Sequence, residues 1–292
     1  MNALRIGLIA PLVLAVAALG ACASDPPGSA EPQVSATTTG SAEPSLGGTF
    51  PVNGRDLYLE CWGEGEPTIV LEVGEGRLLS DLDVLRAAFD SQRRVCSYDR
   101  ANKGRSGSAP TPRTGEDLVS DLHGLLEAAE VPGPYVLVGH SAGGLLVQAY
   151  AATFPDEVGG VVALNPVPPW KPWSTSGMRI MTAGERRGEA EYMEGANGES
   201  LDYRSISGQI EDQPVPQDTP FSLVISTVDQ CFSPEDVCGR TYAAYESIMK
   251  RVAGQWAMGE YTEVRASHEI YADATEEVQA AIDDVLSLAQ IR

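Results

Sequence analysis

Residues 136–144 read VLVGHSAGG and place a serine between small residues at the end of an apolar run. The run has the length and composition of a buried strand. A strand that turns sharply into a helix crowds its backbone, so glycines beside the serine avoid clashes. The same turn exposes the hydroxyl and directs the N–H groups of the following helix toward it. The stretch predicts either a tight turn or a nucleophile presented for attack.

Apolar strands alternate with helical patterns on both sides of this turn. Alternation of this kind predicts a mostly parallel central sheet flanked by helices. The predicted strands are 56–62, 68–74, 94–99, 135–139, 158–165, 221–227 and a last one near 260–266. The predicted helices are 78–91, 115–130, 143–153, 240–253 and 275–289.

Residues 166–220 interrupt the alternation and are predicted to form a lid insertion over the sheet. This stretch is rich in proline near its start and carries Trp170, Trp173, Met178 and Met181. Two roles remain open for these side chains. They either line an acyl pocket or pack against the core.

A serine hydroxyl needs a general base, and the chain has three histidines. His140 adjoins the serine on the turn, so its side chain is expected to project elsewhere. His123 lies on the predicted 115–130 helix and is expected to be a solvated helix residue. His268 follows the last strand, which places it at the edge of a parallel sheet where functional groups collect. We therefore predict His268 as the base of Ser141.

The base needs an acid that stabilises its cation. Asp229 directly follows the strand 221–227, and the order Ser, Asp, His is the one that G-x-S-x-G hydrolases use. Asp236 is the alternative acid. Asn165 follows the preceding strand, but an amide cannot stabilise a cation by charge.

An oxyanion hole requires two fixed donors. The first predicted donor is the N–H of Ala142, directly after the serine, and the second is the N–H of Glu75. Gly74 and Gly76 permit an unusual backbone at that second position. The Glu75 carboxylate is expected to point to solvent or to discriminate against anionic substrates.

Four stretches together resemble the α/β-hydrolase superfamily. They are TIVLEVGEG (68–76), VCSYDRANKGRSG (95–107), YVLVGHSAGG (135–144) and SHEIY (267–271). The resemblance implies an α/β-hydrolase fold and assigns the nucleophile to Ser141, the base to His268 and the acid to Asp229. It also implies a nucleophile elbow formed by Gly139, His140 and Gly143. One departure is Val73, which stands before Gly74 where the superfamily usually has histidine.

The implied function is serine hydrolysis of carboxylic esters through an acyl-enzyme, without cofactor or metal. The expected substrate is a small ester, neutral and at least partly apolar. The alternatives are amide, thioester or carbon–carbon bond hydrolysis, acyl transfer, and a non-catalytic ligand-binding protein. Epoxide hydrolase and dehalogenase chemistry is disfavoured because such relatives carry aspartate at the position of Ser141.

The first 46 residues do not have the pattern of a folded domain. Residues 1–21 combine a positive start with a short apolar run, as in an export signal. The sequence LGAC ends at Cys22 and resembles a bacterial lipobox, which implies lipid attachment there. Residues 22–46 are predicted to be a disordered tether, and residues 47–292 the hydrolase domain. The protein is thus expected outside the cytoplasm, held to the cell envelope by its lipid alone.

Charge and cysteine content add two further expectations. Acidic residues outnumber basic ones by 41 to 20, which argues against nucleic acid as a partner. Cys231 and Cys238 lie close in sequence and are predicted to pair. Cys61 and Cys96 then pair by elimination, in a compartment where disulfides persist. In the superfamily's sheet order their strands are neighbours, which supports this pairing.

Overall fold

A computed structural model describes residues 43–228 and 235–289. Among them, eight strands form one sheet. The strands are β1 (Leu46–Val52), β2 (Arg55–Trp62), β3 (Thr68–Glu72), β4 (Val95–Asp99), β5 (Tyr135–His140), β6 (Val158–Leu164), β7 (Phe221–Ser226) and β8 (Gly259–Val264). Their order is β1-β2-β4-β3-β5-β6-β7-β8. β2 is antiparallel to both of its neighbours, and the strands from β4 to β8 along the sheet are parallel.

Helices connect the parallel strands. They are α1 (Asp83–Phe89), α2 (Gly115–Ala128), α3 (Ala142–Thr153), α4 (Trp170–Pro172), α5 (Met178–Ile180), α6 (Ala183–Met193), α7 (Tyr203–Glu211), α8 (Glu235–Ala253), α9 (Ile270–Asp273) and α10 (Thr275–Ala289). α2 begins with a capping box, in which Thr114 and Asp117 each accept a hydrogen bond from the other's backbone N–H. The predicted class, a mostly parallel sheet flanked by helices, is confirmed. No helix in the described ranges has both the length and the apolar character to cross a membrane.

The central strand β5 is buried along its whole length, which explains its continuous apolar sequence. Leu137 packs into a core on one face of the sheet, while Val136 and Val138 pack into a second core on the other. Both faces are therefore covered, and the end of β5 is held at the middle of the sheet.

One predicted boundary needs correction. β1 begins at Leu46, inside the segment predicted to be tether, and its strand was not predicted from sequence. Two glycines at 47–48 weaken the strand pattern, and only pairing with β2 makes the segment a strand. The predicted lid insertion contains α4 to α7, which were not predicted individually; α4 and α5 have three residues each, too few to show a helical period.

The predicted disulfide between Cys61 and Cys96 is present. The two residues lie directly opposite each other on the antiparallel strands β2 and β4. Cys231 lies outside the described residues, as does the side chain of Cys238, so their pairing stays a prediction.

Candidate active site

The turn between β5 and α3 holds Ser141 in a backbone conformation that few residues adopt. Its φ is 54° and its ψ is −114°, and its N–H donates to the Leu164 carbonyl at 2.9 Å. Strained conformations of this kind persist only where the surroundings enforce them, and they cluster at active sites. Here the neighbouring strand β6 supplies the restraint.

Glycine is sterically required on both sides of the serine. A Cβ atom at Gly139 would lie 2.2 Å from the Gly143 carbonyl oxygen. A Cβ atom at Gly143 would lie 2.3 Å from the Glu72 carbonyl oxygen at the end of β3. The spacing of the glycines thus follows from the close approach of α3 to two parallel strands.

Ser141 and His268 line one cavity of about 480 Å³. Its walls come from the loop after β3, the nucleophile turn, the lid insertion and the loop after β8. The lining residues are Gly74, Glu75, Gly76, Arg77, His140, Ser141, Tyr192, His268 and Glu269. The lid insertion contributes Tyr192, whereas its tryptophan and methionine side chains, Trp170, Trp173, Met178, Met181 and Met193, pack in or against the core. These contacts support the core-packing interpretation, and none of these side chains is part of the lining of this cavity.

His268 lies half-buried in the loop between β8 and α9. Burial, followed by the nearby positive charge of Arg77, lowers the pKa of His268 to about 4. The guanidinium of Arg77 is itself ion-paired with Glu269. The imidazole is therefore neutral at neutral pH, which is the state that a general base requires.

Asn165 contacts His268 directly. Its Nδ2 lies 3.0 Å from Nδ1 of His268, and its Oδ1 accepts the Ser226 N–H at 3.2 Å. The Ser226 bond orients the amide, and the amide nitrogen faces the His268 ring. A triad acid accepts a hydrogen bond from Nδ1–H and stabilises the imidazolium with its negative charge, and the neutral amide nitrogen of Asn165 does neither.

His140, the residue before the nucleophile, turns away from the serine hydroxyl as predicted. Its Nε2 donates to the backbone carbonyl of His268 at 2.9 Å. Its ring packs edge-on against Tyr271, with centroids 4.9 Å apart. Burial, followed by repulsion from His268, lowers the pKa of His140 to about 3. A neutral, buried imidazole therefore holds the loop that carries His268.

The Glu75 side chain does not point to solvent, and the alternative that it discriminates against anionic substrates stays a prediction. The carboxylate is turned to the lid insertion, where it accepts hydrogen bonds from the hydroxyl groups of Tyr192 and Tyr203, at 2.6 and 2.7 Å. It also accepts the Gly198 N–H at 2.7 Å. Hydrogen bonds from these three donors of the lid insertion replace the hydrogen bonds that the carboxylate would otherwise form with water.

The two predicted oxyanion donors belong to residues that adjoin Ser141 or Gly74, and their role stays a prediction. Ala142 is the first residue of α3, so its N–H has no acceptor within the helix. A Cβ atom at Gly74 would lie 3.4 Å from Cβ of Ser141, which puts the peptide leading to Glu75 beside the serine.

The predicted acid lies outside the described residues. This applies to Asp229 and to the side chain of the alternative, Asp236. Cys22 also lies outside the described ranges. The proposed roles of all three stay predictions.

Sequence reasoning missed Arg100 and Glu199, which support the loop after β3. Arg100 directly follows β4, and this position at the carboxyl end of a parallel strand was the available signal. Glu199 comes from the lid insertion, 99 residues away, and no local pattern connects it to Arg100. Within the described ranges, no group of histidine, cysteine and carboxylate side chains is arranged to hold a metal ion.

Comparison with known proteins agrees with this fold. Residues 76–181 match the α/β hydrolase fold family. The crystal structure of the enol-lactonase from Burkholderia xenovorans superposes with a TM-score of 0.58, at 23% identity, over 82% of this chain and 100% of that one. At this identity the likeness shows the fold, and the chain has the α/β-hydrolase fold that its motifs predict.

Curated relatives match over shorter stretches. An uncharacterized protein of Bacillus subtilis is 36% identical over 119 residues, which are 40% of this chain and 47% of that protein. A pimeloyl-[acyl-carrier protein] methyl ester esterase of Chromobacterium violaceum is 36% identical over 103 residues, which are 35% of this chain and 38% of that protein. The matches thus span less than half the length of these relatives.

Proposed function

We propose that this protein is a serine hydrolase that cleaves carboxylic esters through an acyl-enzyme. The observation that carries the proposal is the placement of Ser141, on a strained turn, in the same cavity as the neutral imidazole of His268. An ester carbonyl bound above the serine would face the first N–H groups of α3. The esterase and the enol-lactonase among the similar proteins support the same reaction class.

In the proposed reaction, His268 removes the proton of the Ser141 hydroxyl while its oxygen attacks the acyl carbon. The N–H groups of Ala142 and Glu75 stabilise the negative charge that develops on the carbonyl oxygen. His268 then protonates the leaving alcohol. Water, activated by the same imidazole, releases the acid. Asp229 is proposed to stabilise the imidazolium.

The cavity favours a neutral substrate. Two carboxylates, those of Glu75 and Glu269, line it together with one guanidinium, that of Arg77. Since Arg77 is paired with Glu269, little positive charge remains to attract an anionic acyl group. A cavity of about 480 Å³ has the size of typical small-molecule sites. A comparison of p-nitrophenyl butyrate with p-nitrophenyl hydrogen succinate tests this, and faster cleavage of the anionic ester would contradict it.

Covalent labelling with a fluorophosphonate tests the nucleophile. Mass spectrometry of the modified peptide should locate the label on Ser141, and labelling should vanish in Ser141→Ala and His268→Ala. His123→Ala is the matched control because His123 lies on α2, away from the cavity lining, and should label as the wild type does. A folded wild type that does not label would refute the proposed triad and favour a ligand-binding protein.

We also propose that the protein is exported and lipid-anchored through Cys22. The LGAC sequence supports the anchor, and the Cys61–Cys96 disulfide suits an oxidising compartment. Growth of an expressing bacterium with an alkyne fatty acid should label the wild type and not Cys22→Ser. Equal labelling of both proteins would contradict the anchor.

A further inference from the structure

The loop after β3 and the lid insertion exchange a reciprocal pair of hydrogen bonds. The Glu75 carboxylate of the loop accepts the Gly198 N–H of the insertion at 2.7 Å. The Glu199 carboxylate of the insertion accepts the Gly76 N–H of the loop at 2.8 Å. Two segments more than 120 residues apart therefore fix each other's backbone.

Arg100, which directly follows β4, also holds the loop after β3. Its guanidinium donates to the carbonyls of Val73 and Gly74, at 2.7 and 2.8 Å. It also donates to Glu199 from Nε and Nη2, at 2.7 and 2.8 Å, and it is paired with Glu72. Arg100 is 3% exposed, so these charge-assisted bonds are shielded from water.

Glu199 is ionised in this setting. Burial alone would raise its pKa, but the Arg100 charge and the Gly76 N–H hold that pKa below its usual value. The ion pair therefore persists at neutral pH.

The hydrogen bond to the Gly74 carbonyl has a geometric consequence for the next residue. The Gly74–Glu75 peptide is trans, so its C=O and N–H point in opposite directions. Because Arg100 holds the Gly74 oxygen, the Glu75 N–H points away from Arg100, to the opposite edge of the peptide plane. The peptide lies against Ser141, since a Cβ atom on Gly74 would be 3.4 Å from the serine Cβ.

We propose that Arg100 and Glu199 are positioning residues that orient the Glu75 N–H as the second oxyanion donor. The lid insertion then completes the oxyanion hole in addition to covering the cavity. The inference rests on the proposed ester hydrolysis. A preorganised donor requires no rearrangement when charge develops on the substrate oxygen, and loss of one such donor costs on the order of 100- to 1,000-fold in kcat.

The test uses Glu199→Gln and Glu199→Ala in the full chain. Glutamine keeps the side-chain shape and one acceptor oxygen but loses the charge that holds Arg100. The matched control is Glu189→Gln, the same change at another carboxylate of the lid insertion. Glu189 accepts a hydrogen bond from Nε1 of Trp173 at 2.7 Å. Active sites are counted by exhaustive fluorophosphonate labelling, and kcat is calculated per labelled site. Misfolded protein therefore does not lower the value of kcat.

Three quantities are compared for each variant: kcat and KM for a p-nitrophenyl ester, and the Ki of a trifluoromethyl ketone with the same acyl chain. The ketone forms a hemiketal whose oxyanion occupies the same donors. We expect Glu199→Gln to lower kcat per labelled site about tenfold or more, with KM changed less than twofold. The ketone Ki should rise by the same factor as kcat falls, with a larger effect in Glu199→Ala and none in Glu189→Gln.

If kcat per labelled site and the ketone Ki are both unchanged in both Glu199 variants, the inference is overturned. A fall in kcat without weaker ketone binding would also overturn it, because the defect would then lie outside the oxyanion hole. A wild type that neither labels nor hydrolyses esters would refute the proposed function itself. The two failures are therefore distinguishable.

Discussion

Replacement of His140 by phenylalanine should make the protein less sensitive to acid. His140 is 2% exposed, and its pKa is lowered from 6.5 to about 3, first by burial and then by His268. The unfolded chain binds a proton at this imidazole as the pH falls below about 6.5, whereas the folded protein does not until about pH 3. Stability is therefore fully present above the unfolded pKa and is lost as the pH falls toward the folded one.

The size of the effect follows from the shift. Each pKa unit corresponds to about 1.4 kcal/mol, so acidification from about pH 6.5 to pH 4.5 costs the wild type about 3 kcal/mol through His140 alone. Phenylalanine fills the site without titrating. It leaves the His268 carbonyl without the 2.9 Å hydrogen bond, which lowers stability equally at both pH values. The difference between the wild type and His140→Phe in the change of unfolding free energy between the two pH values therefore reports the titration of His140 alone.

Urea denaturation at about pH 7.5 and about pH 4.5 measures this difference. The loss of unfolding free energy on acidification should be about 3 kcal/mol smaller in His140→Phe than in the wild type. The control is His123→Phe, the same replacement at a histidine of α2 whose side chain is 33% exposed. Equal acid losses in the wild type and His140→Phe would refute the assignment of a buried, neutral imidazole.

Three further outcomes are expected. Asn165→Asp places a carboxylate beside Nδ1 of His268 and raises the pKa of that imidazole, so the acid limb of the kcat/KM profile should move to higher pH; an unmoved limb would contradict the contact. Replacement of both Cys61 and Cys96 by alanine should lower the unfolding free energy in urea by about 4 kcal/mol, because the bond closes a loop with a sequence separation of 35; an unchanged midpoint would mean that the pair contributes nothing. Gly143→Ala forces a Cβ atom to within 2.3 Å of a backbone oxygen, and soluble, active protein from this variant would contradict the described turn.

The sequence by itself determined the order of the main elements and the place of the strained turn at Ser141. These features are local: the apolar run before Ser141 and the glycines at 139 and 143 are read within ten residues. His268 could also be predicted from the sequence as a candidate, because the chain has three histidines and residues that follow parallel strands lie at the same edge of the sheet.

Only the tertiary structure decided how the loop after β3 is held. Glu75 turns to the lid insertion because three donors from 192, 198 and 203 converge on it, and Arg100 meets Glu199 across 99 residues of sequence. These contacts have no periodicity, since each joins a single side chain to a distant backbone or charge. Local propensity and spacing carry information about neighbours on one element, whereas a buried ion pair depends on how separate elements pack. Its partners become visible only after the chain has folded.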